Sequence, residues 1–216
     1  MKKFLFVFFL LTTAYFAQAQ ELWTSFETET LLTRKISVDA TAEARWQQFD
    51  KPLKTIFGEL GVSYKIIKPL SIGVSYRFAQ RNREQGFFTV HSFATRLAYR
   101  YRIGNFRIQY RNKFETDKDT YIKDEEDLRW HFTDRNRIKI SYYKKATLLS
   151  PSVFIESFNE ISAQEAFSLS ELRYGVGLDF MLYRGYSIGI GGVVKQEFGS
   201  KTEFTYAATL ALVKEF

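Results

Sequence analysis

An all-β fold, an antiparallel up-and-down barrel of about twelve strands with ten as the alternative count, follows from three observations. Apolar and polar residues alternate with period two along nearly all of the chain after residue 20. Aromatic residues make up 18% of the sequence while prolines number only 3, a composition that favours many strands over disorder. The last stretch, residues 204–216, is itself a two-faced strand. Phe204, Tyr206, Ala208, Leu210, Leu212 and Phe216 fall on one side, and Thr205, Ala207, Thr209, Ala211 and Glu215 on the other.

The amino-terminal element is a different kind of segment. Lys2 and Lys3 precede an unbroken apolar run over residues 4–11, and Ala17-Gln18-Ala19 supplies a small-x-small cleavage site. Residues 1–19 therefore read as a secretory signal peptide, and residues 20–216 as one barrel domain. The apolar run breaks at Thr12-Thr13, short of the ~20 residues an anchoring helix needs. Cysteine is absent, which removes disulfides, cysteine nucleophiles and thiolate metal sites. The formal net charge is +7, and losing Lys2 and Lys3 leaves +5. The mean hydropathy of −0.24 looks soluble, but only alternate residues of a membrane barrel face lipid.

The strands follow in order. Residues 22–31 form a first, mixed strand, and 32–35 a turn. In 36–47, Ile36, Val38, Ala40, Ala42, Ala44 and Trp46 oppose Ser37, Asp39, Thr41, Glu43 and Arg45. Residues 55–66 and 70–81 alternate in the same way around the turn at 67–69. They place Leu60, Val62, Val74 and Tyr76 opposite Glu59, Arg77 and Arg81. After a polar loop over 80–86, residues 88–102 set Phe93, Leu97 and Tyr101 against Arg96, Arg100 and Arg102. Gly104-Asn105 is a hairpin signal. Residues 106–115 set Ile108, Tyr110 and Phe114 against Arg107, Arg111, Lys113 and Glu115, and a charged loop follows over 116–120. Residues 121–132 are the weakest strand, and 137–145, 152–161, 169–182, 186–197 and 204–216 complete the set. The count carries a conflict. Twelve strands put the short turns at 32–35, 67–69 and 103–105 on one side and that at 184–185 on the other. Merging 121–145 into one arm brings all four turns together, but places the termini at opposite ends. Closure and the usual placement of both termini on one side favour twelve.

Alternation alone does not say which face points inward. A membrane barrel is favoured because the polar face combines long charges with Gly and Ala, as suits a narrow hydrated lumen. Its apolar face also carries Trp46, Tyr64, Tyr76, Tyr101, Phe114, Trp130 and Tyr186 near strand ends, where interfacial aromatic girdles lie. The closing strand resembles that of outer-membrane barrels. This resemblance implies an insertion signal carried by Phe216, Leu212, Leu210 and Tyr206. Lys214, on the apolar face, can snorkel to the interface.

Longer stretches carry a second resemblance. Trp23-Thr24-Ser25, residues 61–77, Arg135-Asn136-Arg137 and the Ile155 to Asn159 segment resemble a family of small outer-membrane barrels. That family is catalogued as a domain of unknown function, number twenty-four ninety. The resemblance covers nearly all of residues 20–216 and implies residence in the cell outer membrane. It implies no catalytic or ligand residues.

The charged inner face is the strongest candidate site. Arg77, Arg81, Arg96, Arg100, Arg102, Arg107 and Arg111 fall on the polar faces of three successive strands and are expected to converge on one lumenal wall, with Glu43, Glu59, Glu115 and Asp39 facing them. Salt bridges filling the lumen give a structural or passive transport role. The alternative is an anion-selective pore or anionic-ligand binder, since a one-signed wall concentrates small anions. A weaker alternative is a lipid-modifying enzyme using Ser and His. His91 and Ser92 are adjacent and face opposite ways, however, and His131 has only Thr133 at the right parity, so no enzyme is expected. The acidic run 124–127 lacks the Gly and Asn spacing of a calcium loop, and no cofactor or metal is expected. The expected partners are outer-membrane lipid, the barrel-insertion machinery through the last strand and small anions. Nucleic acid is not among them, because the bases alternate with acids and lack a stacking cluster.

Overall fold

A computed structural model describes residues 19–47, 53–83, 86–120, 130–143, 147–161 and 167–215 of the protein. The signal-peptide residues 1–18, the acidic run 124–127 and Phe216 lie outside the described residues. The alternating segments become eleven strands. In order they are β1 (Glu21–Leu31), β2 (Ile36–Gln47), β3 (Leu53–Ile67), β4 (Leu70–Arg83), β5 (Gly86–Ile103) and β6 (Phe106–Asp119). Then follow β7 (His131–Tyr142), β8 (Leu149–Ile161), β9 (Ser168–Met181), β10 (Tyr186–Phe198) and β11 (Thr202–Glu215). A single 3-10 turn, Tyr183–Gly185, joins β9 to β10.

Each strand pairs with its neighbours in chain order, and β1 closes the ring against β11. Consecutive strands are antiparallel throughout. The closing pair is parallel, running from Glu21 beside Ala207 to Glu29 beside Glu215. The count dictates this. Strands joined end to end alternate in direction, so the first and the eleventh run the same way.

The count of eleven falls between the ten and twelve expected, and two details differ. The expected strand at 121–132 lies largely outside the described residues, and its last two residues, His131 and Phe132, open β7 instead. The barrel is also not wholly antiparallel. The turn conflict disappears with the odd count. The connections after β1, β3, β5, β7 and β9 all lie at one end. Two of these are two-residue turns, Lys68-Pro69 and Gly104-Asn105. Gly104 has φ of 58°, in the left-handed region that suits glycine. The start of β1 lies at the opposite end, with the starts of the other odd-numbered strands. Two expected loops are strand instead: β4 runs on to Arg83, and β6 continues through residues 116–119.

Parity sets the two faces. Leu60, Val74 and Val176 on the outer face are 64%, 60% and 59% exposed, whereas Lys113, Glu115 and Glu156 on the inner face are 5%, 3% and 3% exposed. Apolar side chains thus line the outside and charged ones the interior, the inverse of a water-soluble barrel. The inner apolar material is small: Trp23, Val193 and Ala207 cluster beneath the β1–β11 closure, with Phe154 packed against them.

Candidate functional site

The site is the barrel interior. At mid-height three carboxylates and four cations form one connected belt. Glu59 on β3 receives Arg77 Nη2 at 2.7 Å and Lys113 Nζ at 2.8 Å. Glu115 on β6 receives Arg77 Nη1 at 2.8 Å and Arg135 Nη1 at 2.9 Å. Glu156 on β8 receives Arg111 Nη2 at 2.7 Å and Arg135 Nη2 at 3.2 Å. The belt therefore crosses the lumen from β3 to β8. Its side chains are at most 23% exposed, so these pairs are weakly screened by solvent. The strands between make room for it. Ser92, Ala94 and Ala98 on β5 are buried and short, and long side chains from β4 and β6 extend over them.

A separate pair lies toward the short-turn end. Arg96 on β5 reaches Asp39 on β2, with Nη2 2.5 Å from Oδ1, and also donates to Ser63 Oγ at 2.6 Å. Toward the opposite end, Glu21 receives Lys54 Nζ at 2.6 Å and Trp23 Nε1 at 2.7 Å, while Lys195 Nζ stands 3.8 Å away. Around it is a cavity of about 200 Å³ lined by Arg45, Lys54, Arg77, Arg81 and Lys195, with Glu21 as its acid and Phe57 as its aromatic wall.

Several inward arginines lie on inward aromatic rings. Arg45 sits 4.2 Å from the Trp23 ring centre, Arg137 4.2 Å from Phe154 and Arg173 4.1 Å from Phe158. Arg173 also pairs with Glu171 on its own strand. Gly175 permits one of these contacts, since the Phe154 ring occupies the space a Cβ there would need. The Nε atoms of Arg111, Arg135 and Arg137 are buried without a hydrogen-bond partner among the described residues. Those N–H groups suit bound water, which a charged lumen admits.

The residues expected at the site divide by depth. Arg77, Arg96 and Arg111 point inward and meet Glu59, Glu115, Asp39 and Glu156. Glu43 pairs with Arg45 on its own strand at 2.5 Å. Arg81 stands 3.9 Å from Asp117. Arg100, Arg102 and Arg107 are exposed at the short-turn mouth. There Arg102 Nε donates to the Gly104 carbonyl at 3.1 Å, and Arg107 lies over the Tyr143 ring at 4.4 Å. The seven arginines thus share one side of the barrel but not one wall, because register spreads them along the axis. Sequence reading left out Lys113, Arg135 and Glu156 as centres of the belt. It also left out the inward rings of Trp23, Phe57, Phe154 and Phe158. Parity could have found the last two, since Phe154 and Phe158 flank Glu156 at two-residue spacing.

On the outer face of β11, Tyr206, Leu210 and Leu212 are exposed, and Lys214 lies 3.9 Å above the Tyr186 ring centre. His91 points outward, with Nδ1 2.7 Å from the Tyr76 hydroxyl, and Ser92 points inward. Among the described residues no group of three or more His, Asp or Glu side chains is placed to hold a metal ion.

A closed β-barrel, apolar outside and crossed by ion pairs inside, is the class that fold and site define. The chain belongs to the family described as Protein of unknown function (DUF2490), which it matches over residues 20–205. Among curated proteins none matches the sequence. Two similar solved structures are a "Bacterial polysaccharide outer membrane secretin" and the beta domain of the Bordetella autotransporter BrkA. The first is 10% identical, with 82% of this chain and 74% of that one covered and a TM-score of 0.49. The second is 10% identical, with 82% of each chain covered and a TM-score of 0.47.

Proposed function

We propose that this chain is a secreted outer-membrane β-barrel with a structural or passive role, its lumen closed at mid-height by ion pairs. The membrane reading is supported by the apolar outer face and by strands of 11 to 18 residues, enough for the ~9–11 that a tilted strand needs to span a bilayer. Exposed Tyr64, Tyr101 and Tyr186 toward the short-turn end suit an interfacial girdle. Outer-membrane lipid is then the partner of the whole outer face, and the β11 strand the segment offered to the insertion machinery.

One observation carries the closed-lumen reading: Arg135 is held by Glu115 on one side and Glu156 on the other, completing a belt from β3 to β8. Planar-bilayer recording on the refolded protein tests it. Closed or rare, brief steps are expected from the wild-type barrel. Stable, anion-selective steps would replace this reading with a pore.

A second reading rests on the cavity beside Glu21, where five cations face one carboxylate. It makes that mouth a binding site for small anions such as phosphate or carboxylate. Isothermal titration of the folded protein with inorganic phosphate tests it. Binding that weakens in the Arg81→Ala and Lys54→Ala variants and with rising salt supports the site. No heat of binding at low salt rejects it.

A further inference from the structure

The outer face is apolar over most of its extent and carries one dense polar cluster. On β6, β7 and β8, Tyr110, Asn112, Asp134, Asn136, Ser157 and Asn159 share the outward parity of exposed Ile138 and Ile155. They form one hydrogen-bonded cluster. Asn112 Nδ2 donates to Asp134 Oδ1 at 2.5 Å and to Asn136 Oδ1 at 3.1 Å. Asn136 Nδ2 donates to Asp134 Oδ2 at 2.6 Å, and the Tyr110 hydroxyl to Asn136 Oδ1 at 2.7 Å. Asn159 Nδ2 reaches the Asp134 carbonyl at 3.2 Å.

This cluster lies within the apolar surface and not at its rim. Toward the short turns it is followed by Ile138, Ile140 and Val153. Toward the other end Phe114 and Phe132 stack at 6.0 Å. Leu97 on β5 stands beside Asn112, and Leu172 on β9 beside Ser157. A carboxylate and three primary amides facing hydrocarbon are unfavourable, because lipid chains offer no hydrogen bonds. A lipid phosphate does not fit the cluster either. It contains no Lys or Arg, and Lys118, farther along the same face, stands over the Trp130 ring at 5.5 Å.

A matching polar surface fits. Asn112 Oδ1 and Asn159 Oδ1 accept no hydrogen bond among the described residues, and Asn136 Nδ2, which donates only to Asp134, keeps one N–H for a further acceptor. The cluster thus offers donors and acceptors together, the condition for pairing with its own copy across a two-fold axis. We propose that the β6–β8 outer face is the contact between two copies of this chain within the membrane, with the axis passing beside Asn136.

The inference rests on the membrane-spanning reading, and the test separates the two. The chain has no cysteine, so Asn136→Cys and Leu60→Cys, the latter on the outer face of β3, each introduce a single thiol. Oxidation in native membranes is expected to convert Asn136→Cys into a species of twice the chain mass, roughly tenfold or more above the Leu60→Cys control. Sedimentation in detergent is expected to give a wild-type dimer, and a variant carrying Asn112→Leu, Asp134→Leu and Asn136→Leu is expected to shift to monomer. Equal cross-linking of the two thiols, a cross-linked product of any other mass, or a triple variant that remains dimeric overturns the interface. A wild-type monomer that still needs detergent overturns the interface alone. A chain that stays monodisperse without detergent overturns both readings.

Discussion

Lys113 on β6 reaches Glu59 on β3, 54 residues earlier in the chain, with Nζ 2.8 Å from Oε1. The strands between contribute Ser75, Ser92 and Ala94 to the inner face at this height, and the lysine stem passes over them. The contact exists only when the sheet is closed and curved, because on a flat sheet the two groups would stand too far apart to meet.

That dependence makes the pair a probe of barrel closure. In a double-mutant cycle of Lys113→Met and Glu59→Gln, the pair is expected to couple favourably by about 1–3 kcal/mol, as close partners in one network do. Urea titration of the protein in lipid vesicles, followed by tryptophan fluorescence, supplies the four stabilities. Strict additivity would show that the contact contributes nothing in the membrane.

Removing a shared acid should cost more than removing one arm. Glu115→Ala strips Arg77, Arg135 and Lys113 of a common partner in a region only 4% exposed at Glu115. The expected loss is about 3–5 kcal/mol, the range for breaking a buried ion pair, since Glu59 and Glu156 alone would then face the four cations of the belt. Glu43→Ala, which frees Arg45 alone, should cost less. The shift of the heat-modifiable band on a gel compares the two directly. The same Glu115→Ala barrel should also pass ions more readily than wild type in planar bilayers, since the belt has lost its central acid.

Gly175 is held empty by the Phe154 ring. Gly175→Leu should destabilise the barrel by about 1–3 kcal/mol through overpacking, and Phe154→Ala in the same chain should restore part of that loss. Thermal unfolding of the three variants in detergent measures it. An unaltered Gly175→Leu barrel would show that Phe154 can swing clear, and with it Arg137, which stacks on that ring.

The odd strand count predicts a topology. A single cysteine at Asn105 and one at Tyr183, in the β9–β10 connection, should be labelled by an impermeant reagent from the same side of the membrane and one at Gln20 from the other, whereas twelve strands would put Tyr183 on the side of Gln20. A twelve-strand barrel would place the start of β1 and the end of the last strand together. Labelling of intact and broken cells distinguishes these arrangements.

The two faces of this barrel were legible in the sequence because parity is a local property. Each inward arginine on β4, β5 and β6 could be assigned from its own neighbours. Depth was not legible, because it depends on register between strands. Arg96 and Arg100 share a face of β5, yet only Arg96 reaches Asp39, while Arg100 is exposed near the mouth. The strand count, eleven within the expected ten to twelve, was not fixed more sharply for a related reason. The polar run from Tyr121 to Trp130 alternates too weakly to separate strand from connection, and one miscounted strand reverses the sense of closure. The belt's centre was obscured because Arg135 fell in a stretch read as a turn, and its partners Glu115 and Glu156 come from separate hairpins.

The parallel seam between β1 and β11 gives the ring a clasp. Every other ladder joins strands that follow one another in the chain, so it can form as the chain folds locally. The clasp brings Gln20 to Tyr206, 186 residues apart, and pays the largest loop-closure entropy of any pairing in the molecule. Its evenly spaced, slanted bonds are also slightly weaker per residue than those of an antiparallel ladder. Trp23, Val193 and Ala207 sit directly beneath it as an internal bolt. Opening of this barrel is therefore expected to begin at the seam, which would leave a curved sheet of eleven strands with two bare edges.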